Sequence, residues 1–418
     1  MSMVAASSPS DLLLAPLDRL PSLGAAWAAR LRDENRERFA RLGLPAADDE
    51  AWRFTNLKRL RGTSFVFAPE AGALPATTIR GLNLPECMLQ NGRAVMGNLA
   101  LPGLHMDSLA ALLGSTPESV AGELGAWADT TRHRFAALNT AHLADGLVVR
   151  VESNAQVAVR ILMTGPAASH AAYPRILIVL EDGARAVVIE DHMGASGFTC
   201  PVTEVHLGPN ASLQHVRLER SGKDAVHLGL VAVRQERDSR YVSHVAALGA
   251  RLGRLDLDVS LAGEGAECVL NGLYMPVGAQ HVDHHTHVSH DAPHTNSKEL
   301  YKGVLGGKSS AVFNGRIVIR EGAMGVDAAQ TNNNLLLSDQ ALVNTNPELE
   351  IFADDVKAQH GATIGQIEDE PLFYLRSRGI DEPAARRILI EAFAGTMIEK
   401  IGLEPVEDLL RAELAGRF

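Results

Sequence analysis

Between residues 146 and 352 apolar and polar side chains alternate strand after strand, and no segment in that span carries the 3.6-residue period of a crossover helix. Arg254-Leu-Asp-Leu-Asp-Val-Ser-Leu261 alternates without exception, with Leu255, Leu257, Val259 and Leu261 on one side and Arg254, Asp256, Asp258 and Ser260 on the other. Successive strand side chains point to opposite faces, so this segment is expected to bury one face and wet the other. Leu147, Val149 and Val151 alternate similarly with Val148, Arg150 and Glu152. Turn-forming clusters separate the segments: Glu181-Asp-Gly183, Gly208-Pro-Asn210, Leu248-Gly-Ala250, Gly263-Glu-Gly265 and Gly306-Gly307. So long a run of strands without crossover helices excludes a doubly wound α/β fold. A large sandwich or barrel and a β-solenoid remain open on pattern alone. The recurrent turns suit a solenoid, and so does the ladder Gln330-Thr-Asn-Asn-Asn-Leu-Leu-Leu-Ser338, whose inward Asn side chains can bond the backbone of neighbouring rungs.

The flanks differ in period. Residues 1–135 read as a mixed, mostly helical region. Trp27, Leu31, Phe39 and Leu42 line one side of a helix over 23–42 that stops at Gly43-Leu-Pro45, and a second helical start follows at Asp48-Asp-Glu-Ala-Trp-Arg-Phe-Thr55. Residues 108–127 lean helical, whereas 68–103, rich in Pro, Gly and Asn, read as irregular with short strands. Residues 136–358 form the expected strand core and 359–418 a helical end. There Asp381-Glu-Pro383 signals a helix start, and Ala385, Leu389, Phe393 and Met397 recur every four residues, with Ile388, Ala392 and Ile401 widening the stripe. Val406, Leu409, Leu410 and Leu414 mark a second helix. Such a pair can cap the open rung of a solenoid or dock a partner.

Composition narrows the function. A hydrophobic content of 46%, a charged content of 21% and a net charge of −11 without a long basic run exclude nucleic acid and acidic membrane surfaces as natural partners. The apolar run at 176–180 is far short of a membrane span, and Leu12-Leu-Leu-Ala-Pro-Leu17 lacks the basic flank of a secretory leader, so a cytoplasmic location is expected. Cys87, Cys200 and Cys268 are widely spaced, form no C-x-x-C pair and fall short of the four thiolates of an iron–sulphur site.

Of the segments that suggest chemistry, the histidine-rich stretch His281-Val-Asp-His-His-Thr-His-Val-Ser-His-Asp-Ala-Pro-His294 places His281, Asp283, His285 and His287 on one strand face. That permits a metal site, and a His-cluster metalloenzyme on a β scaffold is the alternative reading. His284, His290 and His294 fall elsewhere, and a structural role accounts for the cluster more simply. Gly303-Val-Leu-Gly-Gly-Lys-Ser309 has three residues between its outer glycines where a phosphate loop needs four, and a strand-like segment follows it. No Gly-x-Ser-x-Gly occurs, and Gly263-Glu-Gly-Ala-Glu-Cys268 lacks the third glycine of a dinucleotide fingerprint. These absences argue against a self-contained enzyme. His360 stands apart, flanked by Asp354, Asp355, Lys357, Gly361 and Gly365; an imidazole there can offer a borderline donor to a metal or sulphur species. One imidazole cannot hold iron alone.

Many short motifs occur in order: Asp283-His-His-Thr286, Phe313-Asn-Gly-Arg-Ile317, the ladder at 330–338, Asn346-Pro-Glu-Leu-Glu-Ile351, Asp354-Asp-Val-Lys357, His360-Gly-Ala-Thr363 and Phe373-Tyr-Leu-Arg-Ser-Arg-Gly379. Weaker matches are Glu50-Ala-Trp-Arg-Phe-Thr55 and Leu138-Asn-Thr-Ala141 followed by Asp145-Gly146. Together they resemble the SufB/SufD family of iron–sulphur cluster assembly proteins, and its SufD branch more than SufB. The resemblance implies a right-handed parallel β-helix core and a non-catalytic scaffold subunit that pairs with SufB and binds the SufC ATPase. It also implies self-pairing when the chain is isolated. It assigns His360 to a nascent-cluster site shared with a SufB cysteine, with Asp355 and Lys357 beside it at the SufB interface. Ile388, Phe393 and Met397 become candidate SufC contacts. No cofactor is expected on the isolated chain; the resemblance assigns a transient iron–sulphur cluster or iron to the complex with SufB, with flavin as a further candidate there. Many relatives carry a cysteine two residues before the histidine, where this chain has Ala358, which argues against a SufB assignment.

Overall fold

The computed structural model describes residues 13–14, 20–46, 48–58, 60, 63–68, 79–96, 101–194 and 196–418. Apart from Leu13 and Leu14, the stretch 12–17 lies outside the described residues, as does part of 68–103. The core is a parallel β-solenoid of about eight turns. Its strands alternate between two sheets, and from Val202–Leu207 onward each pairs in parallel with the one two places along the chain. In one sheet Leu252–Leu261, His281–His290, Ser310–Ile319 and Leu342–Ile351 stack in succession. In the other, Glu267–Tyr274, Asn296–Leu305, Asp327–Leu336 and Lys357–Gly365 do the same. The turn clusters read from the sequence are the corners between sheets. Asn210, Ala250, Gly183, Gly265 and Gly307 adopt the positive φ that such tight corners require.

The lumen is mostly apolar. Leu255, Leu257, Val259 and Leu261 point into it with Val231, Val233, Tyr241, Leu270, Phe313 and Ile317. The opposite face of the same strand is not wet, contrary to expectation. Arg254 is 4% exposed and stacks on Trp52 at 3.9 Å, because the N-terminal region lies across this face.

That region holds helices α1 (Ala26–Leu42), α2 (Leu109–Ser115) and α3 (Arg134–Ala141), with short strands between. Gly43, at φ 61, ends α1 where the sequence places the stop. The start at residue 48 forms only a 3-10 turn, Glu50–Trp52, and the helical content of 108–127 is confined to α2 and a 3-10 turn. Asn139 of α3 donates to Pro174 O and Cys200 O, both at 2.8 Å, and accepts from the buried Arg175 guanidinium, which also pairs with Glu204. These bonds clamp the helix to the solenoid. The boundaries at 135 and 358 both fall inside elements, α3 and the strand Lys357–Gly365.

The C-terminal helices α4 (Asp369–Ser377), α5 (Glu382–Ile398) and α6 (Glu404–Arg417) do not cap the end of the solenoid. Ile390, Ala394, Met397, Ile398, Val406, Leu410 and Leu414 pack against Val216, Leu218, Ala246, Leu273, Val304 and Leu335, the outer face of the second sheet. Asp381 caps α5, its Oδ1 accepting from Ala384 N at 2.8 Å. With the helices laid along its side, the final rung stays uncovered.

Candidate functional site at the open end of the solenoid

The two ends of the solenoid are built differently. At the first, Leu104–Ser108 pairs antiparallel with Leu147–Val151, and Arg93–Val95 folds back antiparallel on Glu86–Gln90, which itself pairs in parallel with Gln156–Thr164. At the last, Leu342–Ile351 and Lys357–Gly365 terminate their sheets. Among the described residues each has one edge without a strand partner, so a row of backbone donors and acceptors faces outward. Around this end Leu342, Ile351, Phe352 and Ile364 are exposed, at 57%, 45%, 60% and 51%.

His360 lies on the terminal strand in register with Gln330 and is exposed. Ala358, two residues earlier, packs against the lumen core. By strand alternation the imidazole therefore faces the mouth of the lumen. Asp355 and Lys357 are exposed at the same end, Asp355 holding the corner at φ 55 with its carbonyl accepting from Gly325 N at 3.0 Å. Behind His360 lies a buried polar lane. Gln330 Nε2 donates to Glu299 Oε2 at 2.5 Å, and burial pushes the Glu299 carboxyl up to about 7. Beside it, Asn332 Nδ2 donates to the Tyr274 hydroxyl at 3.0 Å and to Tyr301 O at 3.4 Å, and Asn334 Nδ2 donates to Asn332 Oδ1 at 2.7 Å. The Asn ladder thus does bond across rungs, to side chains as well as backbone.

The three candidate contacts on α5 separate. Ile388 is 43% exposed. Phe393 is half-buried under Lys302, whose Nζ sits 4.7 Å from the ring centre. Met397 is 3% exposed and packs on the sheet, so it offers no surface to a partner. It falls on the buried stripe because the four-residue repeat that singled it out is the packing face itself. The larger apolar exposure is on α4, at Phe373 (73%) and Tyr374 (57%), which the sequence reading did not assign.

The histidine-rich strand is mainly structural. On its outer face Thr55 Oγ1 donates to Asp283 Oδ2 at 2.5 Å and Arg254 donates to the same oxygen at 2.9 Å. His285 Nε2 lies 2.9 Å from Asp283 Oδ1; His281 is bonded through both nitrogens, to Thr55 and Ser310. Arg254 first among its partners holds Asp283 far below the usual carboxylate range against the cost of burial. His290 points into the lumen, its nitrogens 2.7 Å from Thr295 Oγ1 and 2.9 Å from Ser297 Oγ. His281 fastens the N-terminal region to the solenoid, His285 braces Asp283 and His290 ties its strand to the next, so these imidazoles do not converge on one ion. A cleft of about 410 Å³ remains at that junction, lined in part by Trp52, Arg132, His133, His287 and Arg316. The phosphate-loop look-alike is a strand, a corner and a strand, and Cys87, Cys200 and Cys268 are buried and form no disulfide.

One cluster escaped the sequence reading. His192, Glu219 and His227, all buried, bring ligand atoms within 4.8 Å of one another, the one such group among the described residues. Its trace in the sequence is charge at lumen positions of apolar strands, Glu190-Asp-His192 and Arg217-Leu-Glu219.

Fold and site together define a solenoid scaffold that starts in antiparallel strands and ends in an exposed parallel rung. Matches to two family models span most of the chain: SufBD protein N-terminal region over residues 18–162, and SUF system FeS cluster assembly, SufBD core domain, over residues 161–393. The chain belongs to the SufBD family of the SUF iron–sulphur cluster assembly system. It is 33% identical over 88% of its length to an iron–sulfur cluster assembly SufBD family protein of Synechocystis, covering 86% of that protein. It is 31% identical to the iron–sulfur cluster assembly protein SufD of Escherichia coli over 91% of each chain, which makes it SufD-like. Protein ABCI7, chloroplastic, of Arabidopsis thaliana is 29% identical over 99% of this chain and 90% of its own. No described helix is long and apolar enough to cross a membrane.

Proposed function

We propose that this chain is a non-catalytic, SufD-type subunit of iron–sulphur cluster assembly, joined at its open end to a SufB-type chain and along its C-terminal helices to a SufC-type ATPase. The observation that carries the reading is the uncovered final rung with His360 on it. A second solenoid docked there continues both sheets through backbone hydrogen bonds, while Leu342, Ile351, Phe352 and Ile364 supply apolar contact. His360 then faces the seam, where the partner brings the thiolates that this chain lacks. The nascent cluster is cargo held jointly.

The attachment of α5 and α6 gives the arrangement a mechanical logic. They pack on the same sheet that ends in the His360 strand. A pull by ATPase subunits on exposed parts of α4 and α5, such as Phe373, Tyr374 and Ile388, is passed directly into that sheet and to the seam. Nucleotide hydrolysis belongs to the partner.

Co-expression with SufB-type and SufC-type chains tests both surfaces. Ile364→Asp is expected to lose the SufB-type chain and keep the ATPase; Ile388→Asp is expected to weaken ATPase capture alone. Undiminished capture of both partners by both variants would overturn the reading.

A further inference from the structure

Deep in the first half of the lumen, Glu190, His192, His215, Arg217, Glu219 and His227 meet, each no more than 8% exposed. Glu190 is fully served: Arg217 donates to it at 2.5 Å, His192 Nε2 and His215 Nε2 each lie 3.0 Å away, and Thr203 donates at 2.8 Å. Glu219 is served on one oxygen only. Arg217 Nε donates to its Oε1 at 2.6 Å, whereas Oε2 has no hydrogen-bond donor.

That bare oxygen lies 3.0 Å from His227 Nε2, yet the contact does not have hydrogen-bond geometry. Arg217 also approaches His227 Nε2, at 3.2 Å. A guanidinium only donates, so this nitrogen presents its lone pair and the imidazole proton sits on Nδ1, itself buried and without a partner. A carboxylate oxygen and an imidazole lone pair thus face each other across 3.0 Å with nothing positive between them. Two buried carboxylates share one guanidinium, with three imidazoles packed around them.

We propose that His192, Glu219 and His227 bind a divalent first-row transition-metal ion inside the solenoid. Ligands about 2.1 Å from one ion and at right angles to each other lie about 3.0 Å apart, the separation of Glu219 Oε2 and His227 Nε2. The supporting shell is already in place. His192 Nε2–H donates a hydrogen bond to Glu190, leaving the Nδ1 lone pair for the ion, and Arg217 orients Glu219 through its other oxygen. The ion displaces Arg217 from His227 Nε2, and the guanidinium keeps both carboxylates. Two imidazoles and one carboxylate suit Fe(II), Co(II) or Zn(II) and discriminate against Mg(II) and Ca(II). With all three ligands buried, loading accompanies folding. The site is separate from the open end, and the inference stands without the proposed function.

Cobalt(II) is the probe. The full chain, free of affinity tag, is unfolded in urea with chelator and refolded with or without Co(II). One tightly held equivalent is expected, with imidazole ligation in X-ray absorption and a raised melting temperature. Glu219→Gln and His227→Gln should each lower Co(II) affinity at least tenfold, while His285→Ala with His287→Ala leaves it unchanged. Should either Gln variant fail to refold, ligation in the unmodified chain decides. No stoichiometric cobalt, cobalt without imidazole ligands, or cobalt retained by the folded Gln variants overturns the proposal.

Discussion

Gln330 and His360 are register partners on the last two strands of one sheet, and Gln330 reaches back from that pairing to bond Glu299 on the strand before. The exposed imidazole is thus the outer member of a lane whose inner members are buried. A change at His360 is therefore expected to be silent in folding and visible in function.

His360→Ala should alter unfolding free energy by no more than about 0.5 kcal/mol, as for other exposed side chains. In the reconstituted complex it should reduce cluster yield, read from the visible absorption of the assembled cluster. A folding defect as large as the loss of yield would remove His360 from the site.

Acid should unfold the chain. Burial holds His142, His284 and His290 down to about 4, from an ordinary value near 6.5. Depressed folded values mean that the unfolded state takes up protons first. Their contribution is present above pH 6.5 and lost as the pH falls toward 4, up to about 3 kcal/mol for each histidine. The sum is comparable with the whole stability of a typical domain. Urea midpoints between pH 7.5 and 4.5 check this, and a flat profile would contradict it.

Glu299 acts in the opposite sense. Its folded value is raised to about 7, so its contribution is present below pH 4.5 and lost as the pH rises through 7. Glu299→Gln, which keeps the neutral shape, should gain on the parent protein across that window by up to about 3 kcal/mol. The difference between the two urea-denaturation profiles is the measurement.

Asp283→Asn should cost about 3 kcal/mol, because Arg254 stays buried with Asp256 as its remaining carboxylate partner. Faster proteolysis within residues 48–58, which sit on this pair, should accompany the loss.

Gly303→Ala should destabilise by about 1–3 kcal/mol through overpacking, since a Cβ there would lie 2.2 Å from the Tyr274 ring and 2.5 Å from Asn334 Oδ1. Lys308→Ala, at the other end of the phosphate-loop look-alike, should leave stability unchanged. Thermal melts of the two variants separate a packing glycine from a ligand-binding one.

Strand alternation, the corner residues and the helix start at Asp381 were all legible in the sequence because each is a local property of backbone and side chain. So was the oddity of His360, a lone donor among glycines and charged residues. Less legible was what each face touches. The strand at 254–261 looks half-wet in isolation, and only the N-terminal region folded across it explains a buried Arg254. Phe393 and Met397 show the same gap, since an amphipathic stripe says that a face is covered without saying by what.

The sequence by itself determined the repeating strands, their corners and the family. Tertiary structure decided which strands stack, that the tail helices lie beside the solenoid, and that one end stays open. It also brought Glu190, His192, Arg217, Glu219 and His227 together from three strands. Alternation has a period of two and carries no memory of partner, so the pairing that makes a lumen of charged side chains exists only once distant strands are in register.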